Sequence, residues 1–192
     1  MKKIEQAIEA SLEVKRAIFD DKAFLRVLEG VANCVVESLK ADGKVLFCGN
    51  GGSAGDAQHL AAELSGRFYY DRPPLFAEAL HVNTSYLTAV ANDYAYDEIY
   101  ARSVQGKGRK GDVLVGISTS GNSKNVIRAL EEARSRGMIT VGLTGEGGGK
   151  MAPYCDYLLD VPSTSTPRIQ EAHILVGHIL CELVEAAMFP QA

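Results

Sequence analysis

Apolar positions along this chain follow two rhythms, and the rhythms alternate. Ile4, Ala7, Ile8 and Leu12 recur at three- and four-residue intervals, and Phe24, Leu28, Val31, Val35 and Leu39 repeat the pattern more strongly. Spacing near 3.6 marks one face of a helix. Residues 3–40 therefore read as helix, with a break at Asp20-Asp21 and a turn at Asp42-Gly43. The leading stripe is thin, which predicts a partner helix, from this chain or from another subunit. Val45–Cys48, Val113–Ser118, Ile139–Leu143 and Asp156–Val161 are instead short, largely apolar runs between turn residues, and Leu75–His81 is a weaker fifth. Such runs read as strands, buried in a parallel sheet where they are continuously apolar.

Between the strands the pattern returns to helix. One helix begins near Ser53 or Asp56, after a glycine turn. A second is capped by Asn83-Thr84-Ser85, runs to Ala91 and is interrupted at Asn92-Asp93, with helix resuming over Tyr94–Gln105. Others span Lys124–Arg136, ended by Gly137, and Arg168–Met188, with Thr166 as N-cap and Pro167 at the first helical position. The last is apolar on most sides and predicts an interface. Gly66 to Pro74, with Asp71-Arg-Pro-Pro74, reads as a surface loop, and Thr144–Gly149 as a flexible turn. Strand and helix alternate five times. This predicts an α/β fold with a doubly wound five-stranded parallel sheet of flavodoxin-like order 2-1-3-4-5.

Two of the strand-to-helix turns carry chemistry. The first is Gly49-Asn50-Gly51-Gly52-Ser53. A glycine turn before a helix is an anion site in outline, since free backbone N–H groups and the helix dipole point the same way. It has neither the Walker sequence nor the spaced glycines of dinucleotide sites. The second, Ser118-Thr119-Ser120-Gly121-Asn122-Ser123, holds four hydroxyls within six residues, more than one cap needs. In the predicted strand order the first and third strands are neighbours, so both turns open onto one crevice at the switch point. His59 and Glu63, four residues apart, lie on one helical face just beyond the first turn, an acid/base or metal pair beside an anion cradle. Together these features predict chemistry on a phosphorylated small molecule.

Composition narrows the field. The chain has 192 residues, 46% of them hydrophobic, and a net charge of −4. No basic field invites nucleic acid, and no run approaches the ~20 apolar residues of a membrane span. The first nine residues, with two lysines and no continuous apolar stretch, are not expected to form a signal peptide. Cys34, Cys48, Cys155 and Cys181 lack metal-finger spacing and read as reduced, buried thiols of a cytoplasmic protein. His81 and His173 read as structural histidines. Tyr69, Tyr70, Tyr94, Tyr96 and Tyr100 read as surface or interface aromatics.

The motifs Cys48-Gly-Asn-Gly-Gly-Ser53, Asp56-Ala-Gln-His-Leu-Ala-Ala-Glu-Leu-Ser-Gly-Arg67, Ala91-Asn-Asp93, Gly116-Ile-Ser-Thr-Ser-Gly-Asn-Ser123 and Arg168-Ile-Gln-Glu-Ala-His173, with His178 beyond, occur in this order. The chain thus resembles the phosphoheptose isomerase family of sugar isomerase (SIS) domain proteins over essentially its whole length. The resemblance implies a single SIS domain over 1–192, with a helical extension at 1–40 and the α/β core and interface helix at 41–192. It implies a cytoplasmic homotetramer with sites at subunit interfaces, no nucleic-acid or membrane partner, and in some members one zinc per subunit. The implied reaction converts D-sedoheptulose 7-phosphate to D-glycero-D-manno-heptose 7-phosphate, feeding lipopolysaccharide or other heptose-containing glycans. By the resemblance, Ser53, Ser118, Thr119, Ser120 and Ser123 bind phosphate, and Asn50, Gly51, Gly52, Asn92 and Asp93 line the sugar. His59, Glu63, Gln170 and His178 take the metal-site and catalytic positions. One departure is Pro167, where some members carry an acidic residue before the arginine.

Ketose–aldose isomerisation moves one proton between carbons and another between oxygens through an enediol, and needs a base and an acid. Glu63 is the expected base and His178 the expected partner acid/base, since an imidazole exchanges protons near neutral pH. Gln170 and His178 are eight residues apart, about 12 Å along a helix and roughly 80° around it. If both touch one ligand, a neighbouring subunit is the expected source of one of them. Two rival readings share the fold: a non-catalytic SIS tetramer that binds a replication initiator, and an isomerase or sensor for another phosphosugar. Glu63 and His178 favour the enzyme over the first, because that relative lacks both.

Overall fold

The computed structural model describes residues 1–191. Two long helices open the chain, α1 (Lys2–Asp20) and α2 (Lys22–Lys40). One residue makes the joint between them. The Asp21 backbone N–H closes α1 on Ala17 and Ile18, while its carboxylate caps α2 by accepting the N–H groups of Ala23 at 2.8 Å and Phe24 at 3.1 Å. The strong stripe of α2 is buried, including Phe24, Leu28, Val31 and Val35. Along α1 only Ile18 is buried; Ile4, Ile8 and Leu12 remain 48–63% exposed on one face.

The sheet comprises β1 (Val45–Gly49), β2 (Ala77–Ala79), β3 (Val113–Ser118), β4 (Ile139–Thr144) and β5 (Tyr157–Asp160). All pairs are parallel, in the order β2-β1-β3-β4-β5. The three central strands are buried almost throughout, which explains their unbroken apolar runs. β2 is shorter than Leu75–His81 would give. It is an edge strand paired to β1 alone, and Pro73-Pro74 precedes it.

The remaining helices are α3 (Gly52–Ser65), α4 (Thr84–Asp93), α5 (Ile99–Lys107), α6 (Lys124–Ser135) and α7 (Thr166–Met188). They cover both faces of the sheet. One core joins α2, α3 and α7 to the inward side chains of β1, β3, β4 and β5; the other lies between the sheet and α5 and α6. Several boundaries differ from expectation. Asn83 caps α4 as expected, but the helix continues through Asn92-Asp93. A 3-10 turn at Tyr96–Glu98 precedes α5, and another occupies Gly149–Tyr154 after the flexible turn. The N-cap of α7 is Ser165, not Thr166, and Pro167 sits in its first turn.

All four cysteines are free; three are buried and Cys155 is half-buried. Burial pushes the thiol of Cys34 up to about 11 and those of Cys48, Cys155 and Cys181 up to about 12.

Candidate active site

The two hydroxyl- and glycine-rich turns leave the ends of β1 and β3, which are paired from Val45↔Val113 to Gly49↔Ile117. In the first turn, Gly51 has φ of 56°, a left-handed value that favours glycine, and it leads directly into α3. A Cβ at Gly52 would lie 2.5 Å from Gln170 Nε2, so a side chain there would displace the Gln170 amide. Gln170 of α7 therefore rests on the floor of this turn. Ser53, one residue on, is buried.

In the second turn the Ser118 and Ser123 hydroxyls are 3.0 Å apart. Ser123 is the N-cap of α6, yet its side chain makes no cap bond. The hydroxyl faces across the turn; in the first turn of α6 the Val126 N–H is taken by Asn125 Oδ1 at 3.0 Å, while those of Lys124 and Asn125 carry no side-chain cap and are available to an anion. A cleft of about 200 Å³ lies over Thr119 and Ser120, closed on its far side by Gly145, Ser163, Thr166 and Ile169.

A pair of amides fastens the turns to each other. Asn50 Nδ2 donates to Asn125 Oδ1 at 2.8 Å, and Asn125 Nδ2 donates back to Asn50 Oδ1 at 2.9 Å. Tyr96 Oη also donates to Asn50 Oδ1, at 3.1 Å. Tyr96 is exposed, as a surface aromatic should be, but Tyr100 is buried, with its hydroxyl bonded to the Gly49 carbonyl, contrary to its reading as a surface or interface aromatic. Asn125 was not legible as a site residue; the only signal was an amide in the first turn of a helix opening on a hydroxyl cluster. Asn92 and Asp93 lie exposed at the end of α4, where Asn92 Nδ2 donates to Asp93 Oδ1 at 2.9 Å. Tyr96, three residues further on, carries this segment to the crevice.

The third group lies farther along α3. His59 Nε2 is 3.3 Å from Glu63 Oε1, as one turn of helix allows, and 2.9 Å from Nε2 of His178 on α7. Two helices distant in sequence thus converge on one cluster of two imidazoles and a carboxylate. The ring of Phe68 packs 5.8 Å from that of His178. The ligand atoms of His59, Glu63 and His178 all lie within 4.8 Å of one another. Nitrogen and oxygen ligands of a tetrahedral zinc sit ~2.0–2.2 Å from it and so about 3.3 Å from each other, and two histidines with a glutamate leave a fourth position open. The donor set fits such an ion. Gln170 lies at the level of Gly52, eight residues and about 12 Å before His178 along α7.

The two remaining histidines, His81 and His173, lie away from this cluster in the hydrogen-bond network. His173 is buried and its Nε2–H donates to the Thr144 carbonyl at 3.0 Å; burial lowers its pKa to about 4. Burial also lowers that of His81.

A model of the SIS domain matches residues 8–145 of the chain. The phosphoheptose isomerase of Aneurinibacillus thermoaerophilus is 53% identical over 97% of this chain and 94% of its own length. The chain belongs to the phosphoheptose isomerase family. The family member from Rhodospirillum rubrum is 62% identical, over 82% of this chain and 84% of that protein. Among solved structures, the phosphoheptose isomerase of Neisseria gonorrhoeae superposes with a TM-score of 0.90, at 44% identity, covering 96% of this chain and 98% of the other.

Proposed function

We propose that this family member isomerises D-sedoheptulose 7-phosphate to D-glycero-D-manno-heptose 7-phosphate, the first step towards heptose precursors of lipopolysaccharide or related glycans. The observation that carries the reading is the meeting of Glu63 and His178, 115 positions apart in the chain, in a cluster whose helix begins at the Gly51-Gly52 turn. The phosphate sits on Ser53, Ser118, Thr119, Ser120 and Ser123, held by hydroxyls and the open start of α6. Asn50, Gly51, Gly52, Asn92, Asp93 and Gln170 contact the sugar. Glu63 takes the proton from the carbon next to the carbonyl and returns it to the neighbouring carbon. His178 moves the second proton between the two oxygens, so that the enediol forms without free charge.

His59, Glu63 and His178 would hold zinc, one ion per subunit, with Gln170 joining only where a second subunit brings it within reach. Bound there, the ion supplies Lewis-acid polarisation of the carbonyl. A glutamate held fully by a metal is a poor base, so Glu63 acts while its second oxygen remains free. We also propose a cytoplasmic homotetramer with sites at subunit interfaces. The exposed Ile4, Ile8 and Leu12 face of α1 and exposed Leu183 on α7 support it. Among the described residues no helix is long and apolar enough to cross a membrane.

The test is incubation of the wild type with sedoheptulose 7-phosphate beside Glu63→Gln and His178→Gln. Turnover by the wild type, lost in both variants, is expected. No turnover, or turnover that both variants retain, overturns the reading.

A further inference from the structure

Arg72 stands in the segment Asp71-Arg-Pro-Pro74, which reads as a surface loop, and Glu185 near the end of α7; both side chains are nonetheless almost fully buried, at 2% and 1% exposed. Arg72 Nε donates to Glu185 Oε1 at 2.9 Å. Its other nitrogens turn to the end of α3. Nη2 donates to the Glu63 carbonyl at 2.9 Å, and Nη1 to the carbonyls of Leu64 at 2.7 Å and Gly66 at 3.1 Å. These are carbonyls that a helix end leaves without partners, and a cation is favoured there by the helix dipole. Glu185 completes the arrangement by accepting the N–H of Phe68 at 2.9 Å and of Tyr69 at 2.7 Å. Burial alone would raise the Glu185 carboxyl, but these bonds and Arg72 hold it below its ordinary value.

The positions matter for the chemistry. Glu63, whose backbone Arg72 holds, carries the expected base. Glu185 lies seven residues after His178, on the same face of α7. Phe68, whose N–H Glu185 holds, packs on the His178 ring. We propose that Arg72 and Glu185 are positioning residues that fix the end of α3 to α7, and so set the distance from Glu63 to His178. This rests on the isomerase reading above. The pair contacts none of the phosphate-binding hydroxyls, so its loss acts on turnover rather than on substrate capture. Misplacement of reacting groups by ~1 Å can cost about a hundredfold in rate.

The experiment compares Arg72→Lys, Glu185→Gln and the double variant Arg72→Met with Glu185→Gln, measuring kcat, KM and thermal midpoint on sedoheptulose 7-phosphate. Lysine keeps the charge but not the fork that reaches several carbonyls. The double variant leaves no buried charge unpaired, the costly consequence of a single replacement. The expected result is a tenfold to hundredfold fall in kcat in every folded variant, KM within about threefold of wild type, and no return of kcat in the double variant even where its midpoint recovers. Wild-type kcat in the folded variants overturns the proposal. So does a kcat that recovers in step with the midpoint, a change confined to KM, or failure of all three to fold, which would make the pair purely structural. An inactive wild type instead refutes the isomerase reading, independently of this pair.

Discussion

The two ends of the crevice are built on opposite plans. The proposed phosphate end is mostly one contiguous stretch: Ser118 to Ser123 is one turn, the Ser118 and Ser123 hydroxyls face each other within it, and only Ser53 joins it from the first turn. The proposed proton-transfer end is assembled from α3 and α7, and its His59–His178 contact spans 119 positions of sequence. Gripping a phosphate needs only a local shape, which one turn and one helix start supply. Moving protons needs two groups at a fixed distance, which here depends on how two helices pack. Damage to the first should weaken capture, and damage to the second should slow turnover.

The largest effect is expected at the proton-transfer end. Glu63→Gln and His178→Gln should each lower kcat by about 10²–10⁴-fold with KM changed only a few-fold, as initial-rate kinetics will show. Replacing Ser118 and Ser123 together by alanine should do the converse, raising KM about tenfold or more while kcat changes less. If both sets lowered kcat alike, the division between the ends would fail. Asn125→Ala removes the amide pair that joins the two turns, and should shift kcat and KM together by several-fold, with a loss of about 1 kcal/mol in denaturant melts.

The smallest effect on turnover is expected at His173, which acts on stability through pH. The folded state holds His173 neutral, with its pKa lowered to about 4 from 6.5. Over that interval the unfolded chain binds more protons, so this contribution to stability is complete above pH 6.5 and is lost as the pH falls towards 4. Glu185, held below its ordinary value, loses its contribution at still lower pH. Melts at pH 7, 5.5 and 4.5 should fall less steeply for His173→Gln than for wild type.

The same contrast decides what the sequence revealed. Strand order, both turns and the His59–Glu63 pair were legible because each depends on short-range pattern: apolar runs, glycine and hydroxyl clusters, helical spacing. β2 was overestimated, since an edge strand's length depends on its one neighbour. The Arg72–Glu185 pair was missed because its members are 113 positions apart and Arg72 is flanked by loop residues. One signal did exist: Glu185 falls four residues after Cys181 and eight after Gly177, in register with buried positions of α7. A carboxylate on such a stripe demands a partner. Asn125 was hidden because an amide early in a helix is ordinary, and only its bond to Asn50 gives it a role.

The fate of the four thiols has a practical side. With every native sulfur held at about 11 or above, almost none is ionised at neutral pH, so alkylating reagents find little to attack. A cysteine introduced at an exposed position such as Ser85, near the start of α4, would then react alone. The protein could carry a single dye or spin probe without first being stripped of its own cysteines, and movement of α4 could be followed directly.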